Sequence, residues 1–318
     1  MDLIKKDKLV SLLNKVLNQV GKQTSEDEII FICPFHRALH NIDRKKFGIS
    51  LNDGYYNCFA CGESGKSFRT LFKKLKVNKS FYKQLYSIIG SEFNPNFGKP
   101  KPEKHNIVDL KLPNEFLSMA LPNKSCEYRH ALSYLKKRNI TRDDILRYNI
   151  GYCESGLYRN RIIIPSYDKD GNLNFFAARD FLDNSYYKYL LPDWSKDIIG
   201  FELFINFNEP VTLVEGTFDA VSIRRNAIPL FGKMLSDTLI QELLISDVPK
   251  VNVCLDDDAI KNSIKISNYL TNQGIDVSLI KLKEKDPSLI GFNGINEIIN
   301  KSKTFDFTEL MKLKLQNI

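Results

Sequence analysis

The sequence predicts an α+β protein of several parts: a small β-rich module, a linker, a mixed α/β segment carrying spaced cations, and an α/β segment whose sheet is mostly parallel. Three observations carry that prediction. From residue 210 onward, strand-like and helix-like runs alternate at lengths suited to βαβ units. Two short knuckles, Cys33-Pro-Phe-His36 and Cys58-Phe-Ala-Cys61, bracket strand-like chain near the amino end. Between these regions, residues 90–113 lose periodicity and become dense in Pro, Gly and Lys, the texture of a linker.

A chain of 318 residues has length for two or three compact units, and 43% hydrophobic residues suffice to build their cores. No run approaches the roughly 18 uninterrupted apolar residues of a membrane span. The opening Met-Asp-Leu-Ile-Lys-Lys is not a signal peptide. Six irregularly spaced cysteines in such a chain point to metal ligands and buried thiols rather than disulfides. The expectation is a cytoplasmic protein with no membrane partner. Charge is unevenly placed: residues 1–113 carry 20 Lys and Arg against 11 Asp and Glu, the remainder 26 against 27. A basic amino-terminal third suggests a polyanion, most simply nucleic acid.

In chain order, Leu3, Ile4, Leu9, Val10, Leu12, Leu13, Val16, Leu17 and Val20 recur at helical spacing, predicting a packing helix over residues 1–24 that stops at Gly21. Ile29–Ile32 then runs as a strand into Cys33 and His36. The second knuckle follows after 21 residues that include the strand-like Phe47–Leu51. Two ligand pairs on tight turns, joined by a hairpin's worth of chain, make one tetrahedral site. Thiolate and imidazole ligands in a closed set point to one structural zinc held by Cys33, His36, Cys58 and Cys61. His40 lies too far along to share the first turn, and Cys126, Cys153 and Cys254 are assigned to packing. Arg37, Arg44, Lys45, Lys46, Lys66 and Arg69, interleaved with Tyr55, Tyr56 and Phe59, offer cations for phosphates and faces for unpaired bases. The same aromatics could instead fill a small metal-module core.

After the linker, residues 114–150 return to helical texture, with Thr141 as an N-cap ahead of acidic residues. Residues 160–180 read as a hairpin around an Asp-Gly turn, followed by Tyr186-Tyr-Lys188-Tyr-Leu. Strands are then expected at 211–214, 228–231, 250–255 and 276–282, separated by helices from about 218, 236 and 259. Glu215 follows the first of these strands, Gly216 permits a sharp turn, Thr217 suits the N-cap, and Asp219 falls in the first helical turn. Asp256, Asp257 and Asp258 follow the third strand, and alternation places Asp256 and Asp258 on one side. Carboxyl ends of central strands are where such sheets present chemistry. Carboxylates delivered together repel unless a divalent cation sits among them, and oxygen ligands suit Mg²⁺ or Mn²⁺.

The pattern Val-Glu-Gly-x-x-Asp followed by Leu-Asp-x-Asp resembles the TOPRIM domain of topoisomerases and primases. Lys285-Asp286-Pro287 resembles a segment after the next strand in bacterial and phage primases. The Cys-Pro-Phe-His and Cys-Phe-Ala-Cys-Gly knuckles look like the zinc ribbon at the amino end of the same family. The segment after His36 is lengthened, and Lys66 stands where an acidic residue often occurs, so the template sequence this module reads is left open. The resemblance covers nearly the whole chain and implies zinc-binding residues 1–89, a linker at 90–113, a basic subdomain of an RNA polymerase core at 114–209, TOPRIM at 210–285 and a helical segment at 286–318. It implies catalytic Glu215, Asp256 and Asp258, with Asp219 and Asp286 also at the metals. Arg161, Lys169, Arg179 and Lys188 would line the path of template and incoming nucleotide. The expected activity is a phage- or bacterial-type DNA primase, a nucleotidyltransferase making RNA primers on single-stranded DNA from NTPs, with a replicative helicase supplied in trans. Two other readings stay open: a TOPRIM nuclease or topoisomerase-like enzyme, and a non-catalytic DNA-binding recombination mediator.

Overall fold

The computed structural model describes residues 3–35, 45–89, 110–282 and 287–305. They form two compact units, the first drawn from Met1–Pro100 with Ile240–Asp247 and Asn268–Ile275, the second from the remainder. His36, Asp286, most of the expected linker and residues 306–318 lie outside the described residues.

In the first unit, helix α1 (Leu3–Leu17) buries Leu9, Leu12, Leu13 and Leu17, the stripe its 3.6-residue period predicts. It ends earlier than expected, because Asn18 takes a positive φ of 49° and Gln19 leaves the helix to bond a strand. The Gln19 amide donates to the Ile32 carbonyl at 2.8 Å and accepts from the Ile32 N–H at 3.0 Å, acting as a strand neighbour. Five antiparallel strands follow in sequential order: β1 (Lys22–Ser25), β2 (Glu28–Ile32), β3 (Lys45–Ser50), β4 (Tyr56–Cys58) and β5 (Ser64–Gly65). Alternation turns Ile29, Phe31, Phe47, Ile49, Tyr56 and Cys58 into one core. Helix α2 (Phe68–Lys74) is closed by a Ser67–Thr70 capping box, and α3 (Lys79–Ile89) packs Leu85 and Ile89 on the same core. Arg69 corrects an expectation. It is buried, and its guanidinium donates to the carbonyls of Leu244, Ser246, Gln273 and Gly274 at 3.0–3.4 Å, so it is spent on backbone rather than phosphate. Desolvation lowers its pKa.

The second unit opens with β6 (Phe116–Ser118), α4 (Cys126–Lys137) and α5 (Arg142–Arg147), the latter capped by Thr141 as predicted. Strands β7 (Gly151–Cys153), β8 (Arg161–Tyr167), β9 (Leu173–Asp180) and β10 (Tyr189–Leu190) join β6 in one antiparallel sheet of order β10-β9-β8-β7-β6. The predicted hairpin is β8–β9. A parallel sheet of order β12-β11-β13-β14 follows, made of β11 (Val211–Val214), β12 (Ala227–Pro229), β13 (Val251–Cys254) and β14 (Val277–Leu279). Helices α6 (Thr217–Ile223), α7 (Asp237–Ile245) and α8 (Ile260–Asn272) separate those strands, and α9 (Pro287–Lys301) packs against α6. Every residue of β11 and β13 is buried, as central parallel strands require. One hydrophobic core runs from Met119 and Tyr134 through Ile164 to Val214, Phe218, Cys254 and Ile295, tying the hairpin region to the parallel sheet.

A buried ion pair links α5 to the end of α6. Asp144 accepts from Arg224 Nη2 at 2.8 Å, with Arg224 Nε as close to its other oxygen in the ion pair, and also from the Thr141 N–H. The Asp144 side chain is only 4% exposed. Asp144→Ala removes the charge partner and the cap together, while Arg224 recovers part of its hydration. A loss of about 3 kcal/mol is expected, read as a lower urea midpoint at unchanged m-value.

Candidate functional site

Two clusters of ligand-type side chains form among the described residues. In the first unit, β2 runs directly into Cys33 and β4 ends at Cys58, with Cys61 on the turn that follows. Their three sulfurs lie within 4.8 Å of one another. Pairing of Phe47 with Cys58 sets Cys58 at the end of the buried face. Cys33 and Cys61 sulfurs are 3.8 Å apart, far beyond a disulfide bond of about 2.05 Å. It equals the sulfur–sulfur edge of a tetrahedron with metal–sulfur bonds of about 2.3 Å. Burial works against a Cys58 thiolate, but bonds from the backbone N–H groups of Cys61 and Ala60 and from the neighbouring thiols outweigh it and lower its pKa. A low-pKa thiol is the state a soft cation binds. Of the expected ligands, His36 lies outside the described residues.

Around this cluster Phe59 is 77% exposed and Tyr55 about half exposed, whereas Tyr56 is fully buried against Phe47. Tyr56 is therefore core, and only the other two present faces to solvent. Cys126 is exposed at the start of α4, against the packing role expected of it, while Cys153 and Cys254 are buried.

In the second unit, β11 and β13 are adjacent and parallel, with Val214 paired to Cys254. Their carboxyl ends therefore reach the same edge, and the residues that follow deliver Glu215 and Asp256 side by side. Oxygens of Glu215, Asp256 and Asp258 lie within 4.8 Å of one another. The chain after Asp256 turns at once into a 3-10 segment, Asp257–Ala259, with Ala259 N–H donating to the Asp256 carbonyl at 2.8 Å. Asp258 thus arrives by a turn rather than by the alternation of an extended strand. Gly216, not Thr217, is the N-cap of α6, and Thr217 is its first, buried residue. Gly216 has an ordinary extended backbone, φ −119°; its requirement is space. A Cβ there would stand 3.1 Å from Asp219 Oδ2 and 4.0 Å from the Tyr189 hydroxyl. Asp219 faces that turn but is not in the trio. Burial, and after it the Asp219 and Asp256 charges, push the Cys254 thiol far up, so it is an inert packing group.

Lys233, which no motif nominated, reaches the same cluster. Gly232 and Lys233 follow β12, the Lys233 carbonyl accepts from Asn262 at 3.1 Å, and Nζ lies 2.5 Å from Asp258 Oδ2. That hydrogen bond, then the Glu215 and other carboxylate charges, raise the Lys233 pKa. The signal was available: loops after every parallel strand open on one crevice.

Three of the four expected basic residues gather at one end of the β8–β9 hairpin. Arg161 is buried, and its guanidinium donates to the carbonyls of Tyr187 at 2.8 Å, Lys188 at 3.2 Å and Ala178 at 3.4 Å. Arg179 pairs with Asp183 at 2.5 Å and lies over the rings of Tyr189 and Tyr134. Lys188 is exposed beside them. The Tyr189 hydroxyl lies against the Gly216–Asp219 turn, so this end of the hairpin borders the carboxylates, and desolvation of that hydroxyl, and after it the Asp219 charge, raise the phenol pKa. Lys169 is separated from them. It sits exposed on the Asp168–Gly171 turn at the other end of β8, about 20 Å of strand away.

No family model matches the chain. It is 32% identical over 179 residues to an uncharacterized protein, MG010, of Mycoplasma genitalium, spanning 51% of this chain and 79% of that one. It is 24% identical over 336 residues to a DNA primase of Clostridium acetobutylicum, spanning 90% of this chain and 56% of that primase. The chain thus matches little more than half the length of that enzyme. A crystal structure of the zinc binding and RNA polymerase domains of the Aquifex aeolicus primase aligns with 98% of this chain and 89% of its own, at 17% identity and a TM-score of 0.45. Among the described residues, no helix is long and apolar enough to cross a membrane.

Proposed function

We propose that the chain belongs to the DnaG-like primase family and, on that premise, that it is a DNA primase making short RNA primers on single-stranded DNA from ribonucleoside triphosphates. The observation that carries the proposal is the meeting of Glu215, Asp256 and Asp258 oxygens at the ends of two adjacent parallel strands. An all-carboxylate donor set suits Mg²⁺ or Mn²⁺, with Asp219 beside it and Asp286 expected to join. A cation held there neutralises triphosphate charge and lowers the pKa of the attacking 3′-hydroxyl.

The chain's own residues supply the remainder. Buried strands β11 and β13 give the carboxylates a rigid base, and Gly216 leaves room for Asp219 to close over the turn. Lys233 is placed to meet the polyphosphate as it approaches the trio. Lys188 and Arg179 offer positive charge to template or nucleotide, while Arg161 holds the backbone that carries Lys188. Lys169, at the far turn, would meet a more distant stretch of the same polyanion. In the first unit, Cys33, Cys58, Cys61 and His36 would hold one structural zinc, and Tyr55 and Phe59 would face unpaired template bases. A replicative helicase acting in trans completes the proposed setting.

Primer synthesis on mixed single-stranded oligonucleotides, with labelled ribonucleotides and Mg²⁺ or Mn²⁺, tests the proposal. Short RNA that depends on template supports it. Cleavage of the oligonucleotide without synthesis replaces it with a nuclease. Binding alone, with candidate helicases also supplied, replaces it with an architectural DNA-binding role.

A further inference from the structure

The loop between β9 and β10 is short, polar at Asp183–Ser185 and carries two adjacent tyrosines just before Lys188. Tyr186 is 92% exposed and Tyr187 65%, with ring centroids 4.8 Å apart in an edge-to-face arrangement. Exposed tyrosines are common singly. What distinguishes these two is the scaffold beneath them. Asp180 is 1% exposed, yet its carboxylate accepts from the backbone N–H groups of Leu182 at 2.9 Å, Asn184 at 3.1 Å and Ser185 at 2.8 Å. Those bonds outweigh the burial that would raise its pKa, and hold it below the usual carboxylate range. From the other side, buried Arg161 donates to the carbonyls of Tyr187 and Lys188. The Asp180 N–H also donates to the Lys188 carbonyl at 3.0 Å.

Two buried, oppositely charged side chains are thus committed to the backbone of one solvent-facing loop. Burying a charge is costly unless its bonds are made, so this arrangement holds the loop in one shape. The shape presents two aromatic faces beside exposed Lys188. Two residues beyond Tyr187, about 7 Å of extended chain, stands Tyr189, whose hydroxyl abuts the Gly216–Asp219 turn at the carboxylate site.

We propose that Tyr186 and Tyr187 form a stacking platform for unpaired bases of the single-stranded DNA template, with Lys188 meeting its phosphates, at the entrance to the carboxylate crevice. Aromatic rings and a neighbouring cation on a preformed loop are what unpaired, sequence-tolerant binding needs, because every base has a π-face. The ring pair favours the template over a free nucleotide, since it can engage successive bases of one strand. The proposal deepens the primase reading and rests on it for the identity of the strand.

The test is fluorescence anisotropy of a labelled oligo-dT and of an equal-length oligomer with abasic sites, using the full chain. Y186A/Y187A is expected to weaken oligo-dT binding about tenfold or more, with an unchanged salt slope, while Y186F/Y187F stays within about twofold of wild type. The abasic oligomer is expected to bind wild type weakly and the alanine variant no more weakly. Oligo-dT binding by the alanine variant at wild-type strength overturns the platform, as does an equal loss for both oligomers. A thermal melt of each variant matching wild type confirms that the fold is retained, as expected for exposed side chains. Primer synthesis by wild type is scored separately. Base-dependent binding without primers keeps the platform and rejects the primase reading, whereas primers with tyrosine-independent binding do the reverse.

Discussion

Replacing Asp256 and Asp258 together by Asn is expected to lower ribonucleotide polymerisation by at least about 10³-fold, which corresponds to about 4 kcal/mol of transition-state stabilisation. The size follows from the donor set. Glu215 would be left as the one charged member of the trio, and a neutral amide oxygen is a far poorer ligand for a hard divalent cation than a carboxylate. Charge that develops on the transferred phosphoryl group would then lack its main counter-charge. Folding should be nearly indifferent to the change. Asp258 is 72% exposed, and removing two of three crowded negative charges relieves repulsion. The thermal midpoint of the D256N/D258N protein is therefore expected to stay at or slightly above that of wild type, which separates loss of chemistry from loss of structure. Wild-type rates of synthesis in the variant would remove these carboxylates from the reaction.

The second large effect belongs to the cysteine cluster. Cys58→Ser is expected to abolish stoichiometric zinc, measured by metal analysis of the purified protein. A structural zinc contributes on the order of 10 kcal/mol in small modules, comparable with the entire stability of a domain. The hydrophobic core of the first unit includes Cys33 and Cys58 but also draws on Leu9, Leu13, Leu71 and Phe72 from its helices, and that part should survive. The loss should therefore be local. Hydrogen exchange is expected to accelerate by at least about a hundredfold in β4, β5 and the intervening turn, and far less at Ile29–Phe31. Strands β8 and β9, in the second unit, should exchange as in wild type. Full protection of β4 and β5 without zinc would mean that the cluster is held by packing alone.

The parallel-sheet region was legible because its residues report their own environment. Val211–Val214 and Val251–Cys254 are short Val-rich runs set between helix-length segments, and every residue in them is buried, with Thr212 and Asn252 hydrogen-bonded to each other at 3.3 Å, as in strands covered on both faces. The β8–β9 hairpin announced itself by its turn, and Thr141 by its capping pattern. Strand β1 did not, since Lys22–Ser25 are all exposed and bury no face against β2. Strands β6 and β7 are three residues each and pair across more than thirty residues of helix and turn, leaving no local periodic signal.

The same division holds at the sites. By itself the sequence determined which atoms are available: sulfurs in two spaced knuckles, and carboxylates directly after two buried strands. Spacing along the chain specifies ligand type, because a tight turn or a strand end constrains only its own few residues. Tertiary structure alone decided which charges are open to a partner. Arg69 and Arg161 read as phosphate-binding cations, yet both are buried and committed to backbone carbonyls. Lys233 and the tyrosines of the β9–β10 loop carry no motif that gives them a role, yet one reaches the carboxylate trio and the others stand on a braced loop near it. Burial and hydrogen-bond partners come from chain that is remote in sequence, and they determine whether a side chain is structural or exposed for binding.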